Sequence, residues 1–194
     1  MAPGGISTEN RGDANAGRSG LPLPVGHSLT SGVVCLRVPT PDDLVFIRCM
    51  WSDRETMDPV GGPVTLSPED GTRWYARWIE PGSPDRAYWL VTSGGRPVGE
   101  VSFRGFDTSE RRATLNVKIA AWERGHGYAR PAVEAVLRFF FEDLAGTQMD
   151  DDVALNNPIG QSLILSTGFT HDSRAKDVCR LFLTEAQWKA RQSA

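Results

Sequence analysis

The sequence has few cysteines and no long hydrophobic run. Its three cysteines, Cys35, Cys49 and Cys179, lie far apart and form no Cys-x-x-Cys pair, which argues against a disulfide framework and against a zinc site. The three histidines also lack the spacing of metal ligands. No apolar run approaches the roughly 20 residues of a transmembrane helix. We therefore expect a cytoplasmic protein with no metal and no membrane partner.

Positive charge is scarce as well. The chain has 21 Lys and Arg against 24 Asp and Glu, a formal net charge of −3, with no cluster of basic residues. This balance argues against a nucleic-acid partner and against binding to a membrane surface. With 194 residues, 40% of them hydrophobic, the chain is long enough for one domain with a sizeable core.

The first 32 residues differ in composition from the rest. They contain seven Gly, three Pro and four Ser, and no continuous apolar block follows their few charges. A signal peptide would need such a block, and a segment of this composition cannot bury enough apolar surface to fold. We predict a disordered leader over 1–32 and one folded domain over 33–194.

The first half of the domain is predicted to contain two helices and a meander. A β-branched run at 33–38 predicts the first strand. Thr40 and Ser67 are each followed by proline and acidic residues, a pattern typical of a helix start. Alternation of apolar and polar residues predicts three antiparallel strands at 87–93, 97–106 and 112–120.

The second half begins with a helix whose apolar residues recur at helical spacing from Val133 to Leu144. A short strand at 151–155 follows, and then a helix that begins at Asn157-Pro158. Two strands, at 169–174 and 177–183, and a capping box at 184–187 end the chain. The predicted order, β-α-α-β-β-β-α-β-α-β-β, describes a mixed α+β domain with a mostly antiparallel sheet.

The segment 124–131, RGHGYARP, lies between a predicted strand and a predicted helix. A helix start leaves backbone N–H groups unpaired and positive, and glycines let the backbone approach an anion, so this order can bind a pyrophosphate. Pro131 is tolerated only in the first turn of a helix, which places the helix start near Gly127. The segment lacks the third glycine of the dinucleotide fingerprint and the Lys-Ser/Thr of the P-loop. The residues alone leave open a phosphate site and an ordinary turn.

Two spaced motifs make the chain similar to the GNAT N-acetyltransferase superfamily. One is the loop pattern Arg/Gln-x-x-Gly-x-Gly/Ala, and the other is an Asn with Gly-Phe eleven and twelve residues later. The matching residues are Arg124, Gly127 and Ala129, then Asn157, Gly168 and Phe169. The resemblance covers roughly 33–191, and the C-terminal segment 177–191 resembles the Rim-type branch, which acetylates ribosomal-protein N-termini and includes relatives acting on small amines. It implies a GNAT-like three-layer fold and an acetyl-CoA-dependent enzyme.

The resemblance also implies where acetyl-CoA binds. The strand that carries Val117 and Ile119 would separate from the strand at 151–155 and pair with the pantetheine arm, and Asn157 would contact the cofactor near its thiol end. The pyrophosphate would lie on the backbone of Arg124, Gly125, His126, Gly127, Tyr128 and Ala129. Arg124 and Arg130 would either add charge near the phosphates or be solvated. His126 is expected to be a loop residue rather than a base.

Amide formation requires a neutral amine, and alkylammonium groups have a pKa near 10, so a base must remove a proton. Glu100 is the predicted base, because it lies in mid-strand on the face opposite Val101 and Phe103, an unusual place for a charge. The alternative is a structural glutamate paired with Arg104 or Lys118. Asp107 and Asp58 are lesser candidates.

The general acid usual in this family is missing. Many GNAT enzymes place a tyrosine seven residues after the signature Asn, and Rim-type relatives often have a serine three residues after it. The corresponding residues here are Ile164 and Gly160. Ser162, Ser166 or a water could substitute, and a thiol with a pKa of about 8.5 leaves with modest help.

The acceptor site is less well defined by the sequence. Trp51, Trp74 and Trp78 would border the acceptor cleft in the family's layout, or belong to the core. Nearby acids at 53, 55 and 58 could attract a cationic amine. We expect an N-acetyltransferase that acts on a small molecule, such as an antibiotic or biosynthetic amine, or on a peptide N-terminus. The alternative is a non-catalytic acyl-CoA-binding sensor or scaffold module. A homodimer is compatible with either function.

Overall fold

The computed structural model describes residues 28–172 and 178–193. The strands are β1 Leu29–Ser31, β2 Val34–Arg37, β3 Ala87–Ser93, β4 Arg96–Asp107, β5 Arg112–Ile119, β6 Gln148–Val153, β7 Thr170–His171 and β8 Cys179–Thr184. The helices are α1 Leu44–Ser52, α2 Arg54–Met57, α3 Pro68–Trp78, α4 Ala129–Arg138, α5 Pro158–Ser166 and α6 Glu185–Gln192. Short 3-10 turns connect several of them.

The strands form one sheet in the order β1-β2-β3-β4-β5-β6-β8-β7. Every neighbouring pair is antiparallel except β5 and β6, which run parallel. In the central meander, Leu90 of β3 lies opposite Glu100 of β4, which lies opposite Lys118 of β5. The prediction of a mixed, mostly antiparallel sheet flanked by helices is therefore confirmed.

Helices cover both faces of the sheet and give three layers. One face carries Trp89, Val101 and Phe103, which join the apolar residues of α4 in the main core. The other face carries Tyr88 and Leu90, and these pack with Ile47 of α1 and with tryptophans of α1 and α3. Burying a large apolar side chain stabilises the folded state by about 1.5–3 kcal/mol. Alternate residues of β3 therefore stabilise the packing of helices on opposite faces of the sheet. We call the side of Tyr88 and Glu100 the acceptor face.

The sheet opens between β5 and β6. These strands pair over only three positions, from Arg112 opposite Gln148 to Thr114 opposite Asp150. Beyond this point β5 continues to Ile119 paired with β4, while β6 continues to Val153 paired with β8. The two strands therefore diverge, as the family resemblance implied, and leave a cleft through the middle of the sheet.

The structure differs from the sequence predictions at two places. Strand β1 lies inside the predicted leader and pairs with β2 through a turn at Gly32, so the domain begins before residue 33. The leader prediction for 1–27 lies outside the described residues. Helix α4 ends at Arg138, and a π-helical turn over Phe139–Asp143 replaces its predicted last turn. None of the described helices is long and apolar enough to cross a membrane.

Candidate active site

The glycine loop leads directly into α4. Gly125 and Gly127 have φ angles of +84° and +77°, in the left-handed region that side chains disfavour. Helix α4 begins at Ala129, and no side chain caps its N-terminus. Pro131 is the third helical residue, where its missing N–H removes no helical hydrogen bond. The helix start therefore lies beside the glycines, as predicted.

This loop presents an unusual number of free donors. The backbone N–H groups of residues 125–130 make no hydrogen bond to any other described residue. A Cβ built on Gly125 or Gly127 would meet nothing within 4 Å, so the glycines border open space. Unpaired N–H groups at the positive end of a helix form a site for an anion. The loop fits the pyrophosphate of acetyl-CoA.

The side chains of the loop have other partners. The Arg124 guanidinium donates to the backbone carbonyls of Glu55 and Thr56, at 3.2 and 3.1 Å. The ring of His126 stacks on Tyr128 with centroids 5.4 Å apart, and its Nδ1 lies 3.2 Å from the Glu123 carbonyl. These contacts hold the loop to α2 and fix its path. An anion bound at this loop would therefore contact mainly its backbone N–H groups.

The cleft between β5 and β6 continues from this loop. Val117 and Ile119 lie on β5 beyond its last pair with β6 and pack partly against the main core. From Leu115 onward β5 pairs with β4 alone, so its backbone edge toward β6 is unpaired. An extended amide-bearing chain can hydrogen-bond to such an edge as a strand would. The pantetheine arm has this chemistry.

Asn157 lies at the start of α5 and caps the helix. Its Oδ1 accepts a hydrogen bond from the Gly160 N–H at 2.9 Å, and its Nδ2 lies 3.5 Å from the Pro59 carbonyl. A Cβ at Gly160 would come within 2.6 Å of Asn157 Nδ2. This close approach explains why glycine stands where relatives often have serine. Asn157 therefore has a structural role beside the predicted cofactor contact.

Glu100 is a buried carboxylate with three donors. It is 0% exposed and accepts hydrogen bonds from Trp51 Nε1 at 2.7 Å, from Lys118 Nζ at 2.5 Å and from the Tyr88 hydroxyl. Burial and the charge of Glu100 raise the pKa of Tyr88 well above its usual value, so Tyr88 stays a donor. The alternative to the base role, an ion pair with Lys118, is thus present. No acceptor amine can touch Glu100 directly in this arrangement.

Aromatic side chains surround this ion pair. Trp74 makes edge contacts with Trp51 and with Tyr88, at centroid distances of 5.4 and 4.9 Å, and Lys118 Nζ lies 5.6 Å from the centre of the Trp51 ring. Trp51, Trp74 and Trp78 are each only partly buried. They pack between α1, α3 and the acceptor face against the buried residues there, so the predicted core role applies, and the border of an acceptor cleft stays a prediction.

Two of the acids predicted to attract a cationic amine have structural roles. Asp53 caps α2 by accepting from the Thr56 N–H at 2.7 Å and from its hydroxyl at 2.6 Å, which lowers the pKa of Asp53. Asp58 forms an ion pair with Arg54 at 3.3 Å. Glu55 is exposed beside the glycine loop. Asp53 and Asp58 are therefore engaged in local contacts, and the attraction of a cationic amine by these acids stays a prediction.

An apolar residue occupies the position at which many GNAT enzymes have a tyrosine. Ile164 is 1% exposed and belongs to the main core, where a hydroxyl would lack a partner. Ser166 is exposed and donates to the Leu163 carbonyl at 2.6 Å, and Ser162 is also exposed. Neither serine faces the interior of the cleft as a buried acid would.

Asp151 is a site residue that the sequence analysis missed. It is the first β6 residue beyond the last pair with β5, is 8% exposed, and lies between the core residues Met149 and Val153. Burial, and to a lesser degree the charge of Asp152, raise the pKa of Asp151 to about 7. The alternation of β6 was the available signal, because it points the middle one of three consecutive aspartates inward.

Comparison with known proteins identifies the family. The model of the acetyltransferase (GNAT) domain matches residues 34–170. The chain belongs to this family. The prediction from the two motifs is confirmed: the protein is an acetyl-CoA-dependent N-acetyltransferase. No group of three or more His, Cys, Asp or Glu side chains in the described part of the chain could hold a metal ion.

Several solved structures share the fold. A spermidine N-acetyltransferase from Vibrio cholerae, in complex with CoA and spermine, is 21% identical with a TM-score of 0.73, over 81% of this chain and 98% of that one. A putative ribosomal-protein-serine acetyltransferase from Vibrio cholerae is 19% identical with a TM-score of 0.67, over 82% and 98%. At these sequence identities the comparison shows a shared fold and does not show a shared substrate. No curated protein matches the chain.

Proposed function

We propose that this GNAT enzyme acetylates the primary amine of a small molecule or of a peptide N-terminus, by direct attack in a ternary complex. The observation that carries the proposal is the alignment of two backbone features. The unpaired N–H groups of residues 125–130 lie at one end of the unpaired edge of β5. A pyrophosphate and a pantetheine arm are joined in this order in acetyl-CoA.

The residues proposed to hold the cofactor act mostly through their backbone. The amides of Gly125, Gly127 and Ala129 would bind the pyrophosphate, and Val117 and Ile119 would pair with the pantetheine arm. Arg124 supports the loop through α2, and Asn157 caps α5, which follows β6 at the same open end of the cleft. When bound, acetyl-CoA supplies an acetyl group activated as a thioester.

We propose that Glu100 receives the acceptor's proton through Lys118. The Lys118 side chain is 13% exposed and that of Glu100 only 1%, with 2.5 Å between Nζ and Oε1. Lys118 would take a proton from the ammonium form of the acceptor as it passes one of its own to Glu100. The neutral amine can then attack the thioester carbonyl. A thiolate leaves with modest help because thiols have a pKa of about 8.5, so a buried isoleucine at position 164 is compatible with turnover.

The proposal is tested by release of free CoA thiol from acetyl-CoA in the presence of a panel of primary amines. We expect release that depends on both the protein and the amine. The alternative, a non-catalytic acyl-CoA-binding module, draws support from the apolar surroundings of Ile164. Tight binding of acetyl-CoA by calorimetry, with no turnover of any amine in the panel, would favour that alternative. The homodimer and the cytoplasmic location stay predictions.

A further inference from the structure

A strip of polar side chains without partners crosses the acceptor face beside the Glu100–Lys118 pair. The polar strip consists of two opposed pairs on β4 and β5, Ser102 with Asn116 and Arg104 with Thr114. None of their side chains makes a hydrogen bond or ion pair with another described residue. Ser102 is only 4% exposed, and a buried hydroxyl normally has a partner.

The unpartnered hydroxyl of Ser102 points to an opening rather than into packed protein. Within the described residues, no fully buried side-chain oxygen or nitrogen lacks a hydrogen-bond partner. The Ser102 oxygen has no partner, so it must keep access to solvent although the residue is almost entirely buried. Its hydroxyl therefore keeps some solvent access on the acceptor face, on the strand position opposite the half-buried Asn116. These are groups available to a ligand.

The charged groups on this face are not all paired. Glu100 has Lys118 at 2.5 Å, Asp150 has Arg112 at 2.9 Å and Asp152 has Arg180 at 2.7 Å. Asp107, opposite Arg112, accepts hydrogen bonds from the N–H groups of Ser109 and Glu110 and forms no ion pair with a described cation. Arg104 is exposed and forms no ion pair with a described acid. The charge of Arg104 lowers the pKa of Asp151, but strand alternation directs Asp151 to the other face of the sheet, and the two form no ion pair. One arginine thus remains to bind an anion.

We propose that the acceptor is an amine that also carries an oxyanion, a carboxylate or a phosphate, which Arg104 binds while Ser102 and Asn116 donate hydrogen bonds. The inference rests on the proposed function and names its substrate class. A guanidinium matches either oxyanion through two parallel hydrogen bonds. Arg104 and Lys118 lie four pairs apart along the strands, about 13 Å at 3.3 Å per residue. The long arginine side chain shortens this span, so the amine and the oxyanion are separated by several bonds.

The same charges disfavour a polyamine. A second ammonium group on the acceptor would lie near Arg104, and like charges at close range repel. The acids on this face are already held, three of them by cations and Asp107 by the N–H groups of Ser109 and Glu110. This acceptor class therefore differs from the one named for the spermidine N-acetyltransferases that share the fold.

The test compares acceptors of equal length in the CoA-release assay. 4-Aminobutyrate carries a carboxylate, 1,4-diaminobutane a second ammonium group and butylamine neither, and 3-aminopropyl phosphate distinguishes phosphate from carboxylate. We expect kcat/KM to be at least about tenfold higher for one of the oxyanion-bearing amines than for butylamine, the range of a charged hydrogen bond, and lowest for the diamine. Faster turnover of the diamine than of both oxyanion-bearing amines would overturn the inference and leave the proposed function intact.

Variants assign the effect to Arg104. We expect Arg104→Gln to raise KM for the preferred oxyanion-bearing amine about tenfold or more, with little change for butylamine and in acetyl-CoA affinity. Arg138→Gln is the matched control, since Arg138 is an exposed arginine at the end of α4, and it should leave the preference unchanged. Equal preferences in the wild type and in Arg104→Gln would overturn the inference. Absence of turnover with every amine would instead overturn the proposed function.

Discussion

The cofactor side and the acceptor side of the cleft differ in which part of the chain is free. At the glycine loop the side chains of Arg124 and His126 are engaged in holding the loop, and the backbone N–H groups are free. On the acceptor face the backbone of β4 is paired with β3 on one side and β5 on the other over most of its length, and side chains such as Ser102 and Arg104 are free. In the proposed complex the common co-substrate would contact main chain, while the acceptor would contact side chains that can vary without changing the fold.

The largest expected effect is a loss of acetyl-CoA binding on the cofactor side of the cleft. Gly127→Glu places a side chain and a negative charge where the pyrophosphate would bind, so we expect acetyl-CoA affinity to fall by more than about 100-fold, a loss of about 2.7 kcal/mol or more. Calorimetric titration with acetyl-CoA measures it. Gly32→Glu is the control, because Gly32 also has a positive φ of +56° and open space at its Cβ. Equal affinity in the two variants would refute the loop assignment.

The second prediction concerns the acceptor side. Glu100→Gln should lower kcat by about 10²- to 10⁴-fold, the usual contribution of a general base, and change its pH dependence, with acetyl-CoA affinity unchanged. The variant also leaves Lys118 buried without its anion, which is destabilising by about 3–5 kcal/mol. Stability must therefore be measured beside activity.

A double variant separates these two effects of Glu100. Adding Lys118→Met removes the unpaired charge, so Glu100→Gln/Lys118→Met should regain stability in urea unfolding and remain as inactive as the single variant. If activity returns together with stability, Glu100 has a structural role only and the proton path through Lys118 is wrong.

The third prediction concerns Asp151, between the two sides. Its folded pKa of about 7 exceeds the ordinary value of 3.8, so the folded state binds the proton more tightly than the unfolded state. Its contribution to stability is fully present below about pH 4 and is lost as pH rises to about 7. At pH 8 Asp151→Asn should be more stable than the wild type, by up to about 4 kcal/mol at about 1.4 kcal/mol per pKa unit.

Urea unfolding between pH 5 and pH 8 measures this difference. The gain from Asp151→Asn should shrink steadily toward pH 5, since the wild-type carboxyl is then protonated when folded. Asp152→Asn is the neighbouring control, because Asp152 forms an ion pair with Arg180 and its loss should bring no such gain. A stability difference that does not vary with pH would show that the pKa of Asp151 is not raised.

The smallest expected effect is at the start of α5. Gly160→Ala should displace the Asn157 side chain, because the new Cβ would lie 2.6 Å from Nδ2. The loss of a helix cap costs about 1 kcal/mol, measurable by urea unfolding. In an Asn157→Ala background, Gly160→Ala should change the free energy of unfolding only slightly. A full cost in both backgrounds would mean that Gly160 acts independently of the cap.

The sequence predicted the parts of the fold that depend on local signals. Pro131 and the paired glycines located the start of α4 because their backbone preferences are intrinsic. Thr184 and Gln187 formed the predicted capping box at α6 for the same reason. The π-helical turn after Arg138 was missed, since it depends on how Phe139–Asp143 packs and not on their helix propensity.

The site was harder to predict where partners come from distant segments. Lys118 was one of two partners considered for Glu100, because hairpin registers limit the choice. Trp51, 49 positions away in the sequence, and Tyr88 were not foreseen as donors. For Asp151 the alternation of β6 was a signal, but which face of β6 is buried is decided by its pairing with β8. Three-dimensional register, rather than residue type, decides these contacts.

The three-pair junction between β5 and β6 divides the sheet into two. Strands β1–β5 lie on one side of it and β6, β8 and β7 on the other, while one apolar core, with α4 packed against both parts, holds them together. Because so few hydrogen bonds cross the junction, amides beside it should exchange with solvent sooner than those of the meander. A bound molecule that bridges the cleft would add hydrogen bonds across the junction and slow this exchange.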